Sequence, residues 1–325
     1  MDQVKWGIIG CGNVTELKSG PAFNKVKDSK LTAVMRRNAD KAADYAQRHN
    51  VDQWFDDAEA MMDNAGVNAV YIATPPSSHT SYALRALEKG FNVYVEKPVT
   101  RNAAEARQIA SAVAKSSNKL TVAHYRRALP MFLHVKKLID DKAIGDIRTV
   151  QIRMWKSQQA EMIALTDTNW RVDPEQSGGG YFHDLAPHQL DLMLYYFGKP
   201  KSSHGYCINQ SDAYPADDHV CGEILFENGI IVNGSWCFNV AQSQVTDTCE
   251  MIGTKGKIVF PFFGNTVTLN NEDGQNTVNF THPQHIQQPM IEKIVAYFNG
   301  SGENPCSIDE AVTLMEIIDT FTLGN

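Results

Sequence analysis

The hydrophobic pattern of the chain changes character after about its first third. Residues 4–9 are a short, nearly continuous apolar run ending in glycine, the mark of a strand buried on both faces. Similar runs follow at "LTAVM" (31–35), "NAVYIA" (68–73), "FNVYVE" (91–96) and "LTVAHY" (120–125). Between them the apolar positions take helical spacing, in "ADKAADYAQRH", "DDAEAMMDN", "SSHTSYALRALEKG" and "RNAAEARQIASAVAKS". Ser77 or Ser78 is the N-cap candidate of the third helix, and Gly90 its stop. Strands alternating with helices predict right-handed crossovers and a parallel sheet covered on both faces.

After residue 123 the rhythm is different. A helix over about 128–140 leads through Gly145 into "IRTVQIRMW", and "FENGII" (226–231), "GTKG" (253–256) and "NNEDGQN" (270–276) read as turns between strands. Further helices are expected over about 184–197, 287–299 and 308–321. The fold class is therefore α/β in residues 1–123, followed in 124–325 by an α+β domain with an open, mostly antiparallel sheet. The length of 325 residues suits two cores of roughly 150 residues each.

Composition narrows the function classes. Hydrophobic residues make up 43% and charged residues 21%, the balance of a folded globular chain. A net charge of −7 with no Lys/Arg run argues against nucleic acid and membrane surfaces as partners. The six cysteines contain no C-x-x-C pair and read as reduced thiols. The first residues lead directly into a strand with no signal peptide, and no apolar run reaches spanning length, so a cytoplasmic protein is expected.

Candidate chemistry starts at "GIIGCGNVT" (7–15), which puts Gly10 and Gly12 at the first strand-to-helix turn, with Asn13 and Val14 next. Glycine there lets the backbone approach a pyrophosphate held at a helix N-terminus, as in a Rossmann dinucleotide-binding domain. A glycine turn in a ligand-free α/β protein is the other reading, and Thr15 stands where the third glycine would. The second strand ends in Arg36 and Arg37 instead of the acid that accepts from the ribose of NAD. Two cations suit a 2′-phosphate, so NADP is favoured. NAD stays open if one arginine only stacks on the adenine. "YIATPPSSH" (71–79) offers a stiff loop wall with Thr74, Pro75 and His79, or simply a lead-in to the next helix.

Glu96-Lys97-Pro98 follows a parallel strand at its carboxyl end, where open α/β sheets bind ligands. Lys97 is either a hydrogen-bond donor and proton carrier for substrate or a solvated surface cation. In "GGGYFHDLAPHQLD" (178–191), Asp184, His188 and Asp191 form one helical stripe behind three glycines that let a ligand or another backbone come close. An acid/base pair is one reading. A helix-capping Asp with a half-buried His, or a metal set of His183, Asp184 and His188, are the others.

With the glycine turn, "EKP" and "GGG…D…H" in this order, the chain resembles the Gfo/Idh/MocA oxidoreductase family over its whole length. That group includes glucose–fructose oxidoreductase, inositol dehydrogenase, dihydrodiol dehydrogenase and 1,5-anhydrofructose reductase. The resemblance implies that Lys97, Asp184 and His188 meet as catalytic residues at a bound nicotinamide; Glu96 and Lys97 are expected among the cofactor-binding residues, and no metal is expected. It implies hydride transfer on a sugar, polyol or related carbonyl or secondary alcohol, and a homodimer or homotetramer built through the open sheet. "NWR" (169–171) suggests Trp170 and Arg171 as substrate residues, and "AHYRRALP" (123–130) adds Tyr125 and Arg126. Two departures stand out: Thr15, expected to loosen helix–strand packing, and His183, where the family has an apolar residue. A glycosidase that oxidises its sugar transiently with bound NAD, and a non-catalytic dinucleotide sensor, are the rival functions.

Overall fold

The computed structural model describes residues 3–158 and 169–323. The chain divides into two compact units, residues 1–125 with 283–312, and residues 126–282 with 313–325. In the first, β1 (Val4–Ile9), β2 (Ser29–Met35), β3 (Gln53–Phe55), β4 (Ala69–Ile72), β5 (Asn92–Val95) and β6 (Leu120–Val122) form a parallel sheet in the order β3-β2-β1-β4-β5-β6. The connecting helices are α1 (Asn13–Leu17), α2 (Ala39–His49), α3 (Ala58–Asn64), α4 (His79–Glu88) and α5 (Ala103–Lys115). Asn38, Asp57 and Asn102 cap α2, α3 and α5 through their side chains. Ser78 holds the cap position of α4, but its hydroxyl donates to Thr74 Oγ1 at 2.8 Å instead of capping. The three-residue edge strand β3 is too short to leave an apolar run and was not expected. β6 stops before residue 125 because Tyr125–Ala128 tightens into a 3-10 turn.

The second unit holds α6 (Pro130–Asp140), β7 (Ile147–Trp155), α7 (Pro174–Ser177), α8 (Gly180–Phe197), β8 (Pro200–Ile208), β9 (His219–Phe226), β10 (Ile231–Cys237), β11 (Thr246–Gly253), β12 (Gly256–Phe260), β13 (Thr266–Asn271) and β14 (Gly274–Asn279). Its sheet runs β14-β13-β12-β11-β7-β10-β9-β8, antiparallel except for the β7–β10 pair. The long helix α8 packs on it: Phe182 meets Trp236 at 5.2 Å between ring centroids, and Trp236 Nε1 donates to Gln189 Oε1 at 3.1 Å. All of its residues but Tyr181 and Tyr195 are buried, as expected of a helix that is apolar over most of its surface.

The chain then departs from a single boundary near residue 123. Helix α9 (Gln288–Asn299) packs into the first unit, burying Met290, Ile291 and Ile294 and setting Phe298 5.6 Å from the Trp6 ring. Residues ahead of α10 (Ile308–Thr322) cover the β6 edge: the Cys306 carbonyl accepts from Val122 N and Thr121 Oγ1, and Asn304 Nδ2 donates to the Leu120 carbonyl. A residue count cannot show such a return, because the amphipathic pattern of α9 fits either core.

Candidate functional site

Strand register assembles the first group of residues. Met35, Ile9, Ile72 and Val95 are cross-strand partners in one row, so the segments after β2, β1, β4 and β5 emerge side by side. Gly10 turns with φ +93°, and a Cβ there would lie 2.7 Å from Thr74 Cγ2. At Gly12 a Cβ would meet nothing nearer than the Gly10 carbonyl oxygen at 3.9 Å, leaving that side of the turn open. Asn13 is exposed and Val14 half-buried at the start of α1. Thr15 does not loosen the packing. It is fully buried, and its Oγ1 accepts from Gly12 N at 2.9 Å and donates to the Gly12 carbonyl at 2.8 Å, closing a small cap. Arg36 Nη1 donates to the Cys11 carbonyl at 3.3 Å, which brings its guanidinium to the glycine turn, while Arg37 stays exposed. The Cys11 thiol is pushed up to about 11 by burial and is a neutral packing group.

Two loops of this row are fastened to each other. The buried His79 ring sets Nε2 2.7 Å from the Thr74 carbonyl and Nδ1 3.0 Å from the Pro98 carbonyl. Burial lowers its pKa below the ordinary histidine value. Pro75 is half-buried beside it. Glu96 is buried, and its Oε1 accepts from Tyr71 Oη at 2.5 Å and Gln287 Nε2 at 2.7 Å. Its other oxygen accepts from Lys97 N at 3.1 Å. The acid thus fixes the backbone that carries the half-exposed Lys97, and the Lys97–Pro98 peptide is cis. Burial and the neighbouring Glu96 raise the Tyr71 phenol well above its usual value.

The second group lies on and beside α8. The helix begins at Gly180, so Asp184 sits a full turn inside it and cannot be its cap. Each glycine ahead of Asp184 answers to the protein's own packing. Gly178 ends α7 in the left-handed region. A Cβ on Gly179 would lie 2.2 Å from His183 Cε1, and one on Gly180 2.6 Å from Ala216 Cβ. His183, the residue without a role in the sequence, is the buried ring that fills the space over Gly179; burial lowers its pKa to about 4. Asp184 is buried and accepts from Arg171 Nε at 3.1 Å, a pair that offsets the cost of burying each charge. Arg171, expected at substrate, is itself buried with its guanidinium carbon 4.5 Å from the Trp170 ring centre.

His188 is buried one turn after Asp184 and meets the Phe263 ring edge-on at 5.7 Å. Phe263 is 45% exposed although its loop is tightly held: Asp247 accepts from the amides of Phe262 and Phe263 at 3.0 and 2.7 Å. Buried Arg126 donates to the Phe262 carbonyl and lays its guanidinium 4.3 Å from the Phe263 ring centre. Tyr125 is buried at the end of the first unit. Asp191 pairs with buried Arg127. Sequence reasoning missed Tyr71, Gln287, Arg127 and Phe263. Arg127 adjoins Arg126 in the quoted stretch, whereas Gln287 lies 191 positions from its partner Glu96 and leaves no local signal.

Among the described residues no helix is long and apolar enough to cross a membrane. The profile described as "Oxidoreductase family, NAD-binding Rossmann fold" matches residues 4–124, and the GFO/IDH/MocA C-terminal domain matches 132–259. An oxidoreductase of Formosa agariphila is 48% identical over 320 residues, covering 98% of each chain. A trans-1,2-dihydrobenzene-1,2-diol dehydrogenase of Xenopus laevis is 26% identical, over 92% of this chain and 85% of that one. The fold also matches a solved levoglucosan dehydrogenase in complex with NADH, at a TM-score of 0.86 and 22% identity, over 98% of this chain and 96% of that one. The parallel sheet with its glycine turn, the antiparallel sheet behind α8 and these matches together make the chain a member of the Gfo/Idh/MocA family of NAD(P)-binding oxidoreductases.

Proposed function

We propose that the protein is an NADP-preferring dehydrogenase or reductase acting on a sugar, cyclic polyol or related ring carbonyl or secondary alcohol. The observation that carries this reading is His188, buried one turn from an Asp184 carboxylate that Arg171 holds in place, in a chain that also keeps Lys97 on the loop after β5. The open side at Gly12 and the tight turn at Gly10 fit a dinucleotide backbone, with Asn13, Val14, Thr74, Pro75 and His79 around it. A nicotinamide bound there supplies the hydride acceptor in oxidation and the donor in reduction. Arg36 and Arg37 follow β2 with no acid beside them, which favours a 2′-phosphate.

In oxidation His188 takes the hydroxyl proton, because loss of hydride from the carbinol carbon would otherwise leave a positively charged, protonated carbonyl. Lys97 donates to that same oxygen and stabilises its negative charge in the reductive direction. Asp184 orients the imidazole. The apolar Phe263 surface beside His188 suits the C–H face of a ring substrate. Relatives acting on a cyclic dihydrodiol and on levoglucosan support a ring bearing hydroxyls as the substrate class.

The test is a panel of sugars, inositols and cyclic dicarbonyls followed at the nicotinamide absorbance with NADPH and with NADH. The reading expects turnover on at least one ring substrate, with kcat/KM higher by about tenfold or more for the phosphorylated cofactor. Strong NADH preference contradicts the assignment of Arg36 and Arg37. Substrate conversion with flat absorbance favours the transient-oxidation glycosidase, and cofactor binding without conversion favours the sensor.

A further inference from the structure

His188 has a carboxylate on each side of it along α8, Asp184 four residues before and Asp191 three after. Both spacings bring side chains together on one helix face. Two bare carboxylates in a dry setting stabilise an imidazolium strongly, and a histidine held protonated near neutral pH has no capacity to accept a proton. Neither carboxylate is bare. Arg171 Nε donates to Asp184 Oδ2 at 3.1 Å, and the two side chains are only 7% and 11% exposed. Arg127 grips Asp191 with Nε, 3.1 and 3.0 Å from the two oxygens, and with Nη2 at 2.8 Å. Arg126 lies over the Phe263 ring that His188 touches, and the Asp247 carboxylate accepts from the amides of Phe262 and Phe263 in the same loop.

We propose that Arg171 and Arg127 are positioning residues that set the basicity of His188 by neutralising the acids flanking it. Arg171 then acts through Asp184, and not on substrate as the "NWR" resemblance implied. Its burial and the Trp170 ring against its guanidinium fit that role. The pairing has a chemical logic. Each carboxylate still acts on the imidazole through its field along the shared helix face, while its guanidinium cancels the net charge that would lock the proton on. The consequence for turnover rests on the reading of His188 given above; the charge arrangement does not.

The experiment is an NMR titration of the histidine ring signals of the intact protein, with His188 identified by its loss in H188Q. In the wild type the ring is expected to be neutral at the pH of turnover, as a proton acceptor must be. A midpoint above about 8 overturns the proposal without any arginine variant having to fold. In Arg171→Gln the midpoint should rise by about one unit, and in the double variant R171Q/D184N it should return to the wild-type value. Arg171→Lys, which keeps the charge, should hold it there. An unmoved midpoint in R171Q, or no return in the double variant, overturns the proposal.

Kinetics separate this proposal from the functional reading. With an active substrate, the acid limb of kcat/KM should move with the NMR midpoint in R171Q. A raised KM with an unmoved limb would make Arg171 a substrate residue instead. The NMR shift without turnover on any substrate sinks the proposed function and leaves the charge pairing standing. Turnover without the shift does the reverse.

Discussion

At the scale of single residues, the His183 ring is 2% exposed and packs over Gly179, so burial favours its uncharged form. The folded-state pKa of about 4 lies below the ordinary 6.5, so the unfolded chain binds the extra proton first as pH falls. Stability is therefore complete above about pH 6.5 and declines as pH drops toward 4, by about 3 kcal/mol from this group. Chemical denaturation of wild type and His183→Gln at intervals between pH 7 and pH 4 checks it. The variant should lose less stability across that window, and parallel slopes for both proteins would remove the assignment. The glycines, the Asp–x–x–x–His spacing and the Arg pair at the end of β2 were all legible as residues. What was not legible was which partner each would take, because Arg171 and Ala216 reach this region only through tertiary packing.

At the scale of elements, apolar runs separated by helical spacing located five of the six parallel strands, since strands buried on both faces leave a continuous signal. The turn-marked hairpins of the second unit were legible for the same reason, each bearing its glycine or Asn/Asp pair between alternating strands. The helix start at Gly180 was not, because a three-glycine stretch carries no helix propensity and is held by contacts with His183 and Ala216. The return of α9 rests on Gln287, whose amide oxygen accepts from Tyr94 Oη at 2.8 Å while its nitrogen donates to Glu96. All three groups are buried, so replacing the amide leaves Tyr94 Oη without its acceptor, while Glu96 Oε1 keeps Tyr71 as a donor. Gln287→Leu should cost about 1–3 kcal/mol of stability in denaturant unfolding. A loss below about 0.5 kcal/mol would show that the bridge between β5 and the returning segment contributes little.

At the scale of the whole molecule, the second unit presents a sheet face on which Tyr206, Ile208, Ile231 and Ile252 share one side by register and are 73%, 55%, 42% and 38% exposed. So much exposed apolar surface on one face is uncommon in a monomer and fits the homodimer or homotetramer implied by the family resemblance. Light scattering should give a multiple of the 36.2 kDa chain mass for the wild type and a smaller species for the double variant Y206E/I208E. A monomeric wild type would refute that assembly. Fold and family thus followed from pattern and motif, while Phe263, the exposed ring beside His188 that the proposed function assigns to substrate, is marked by no motif. The central claim is that Lys97 and His188 carry the proton and charge handling of a hydride-transfer enzyme. Its most direct test is turnover of Lys97→Ala and His188→Ala on the best substrate of the panel, with cofactor affinity measured in parallel. The account expects kcat to fall by about two to four orders of magnitude in each variant with cofactor affinity nearly unchanged; turnover within about threefold of wild type in both would contradict it.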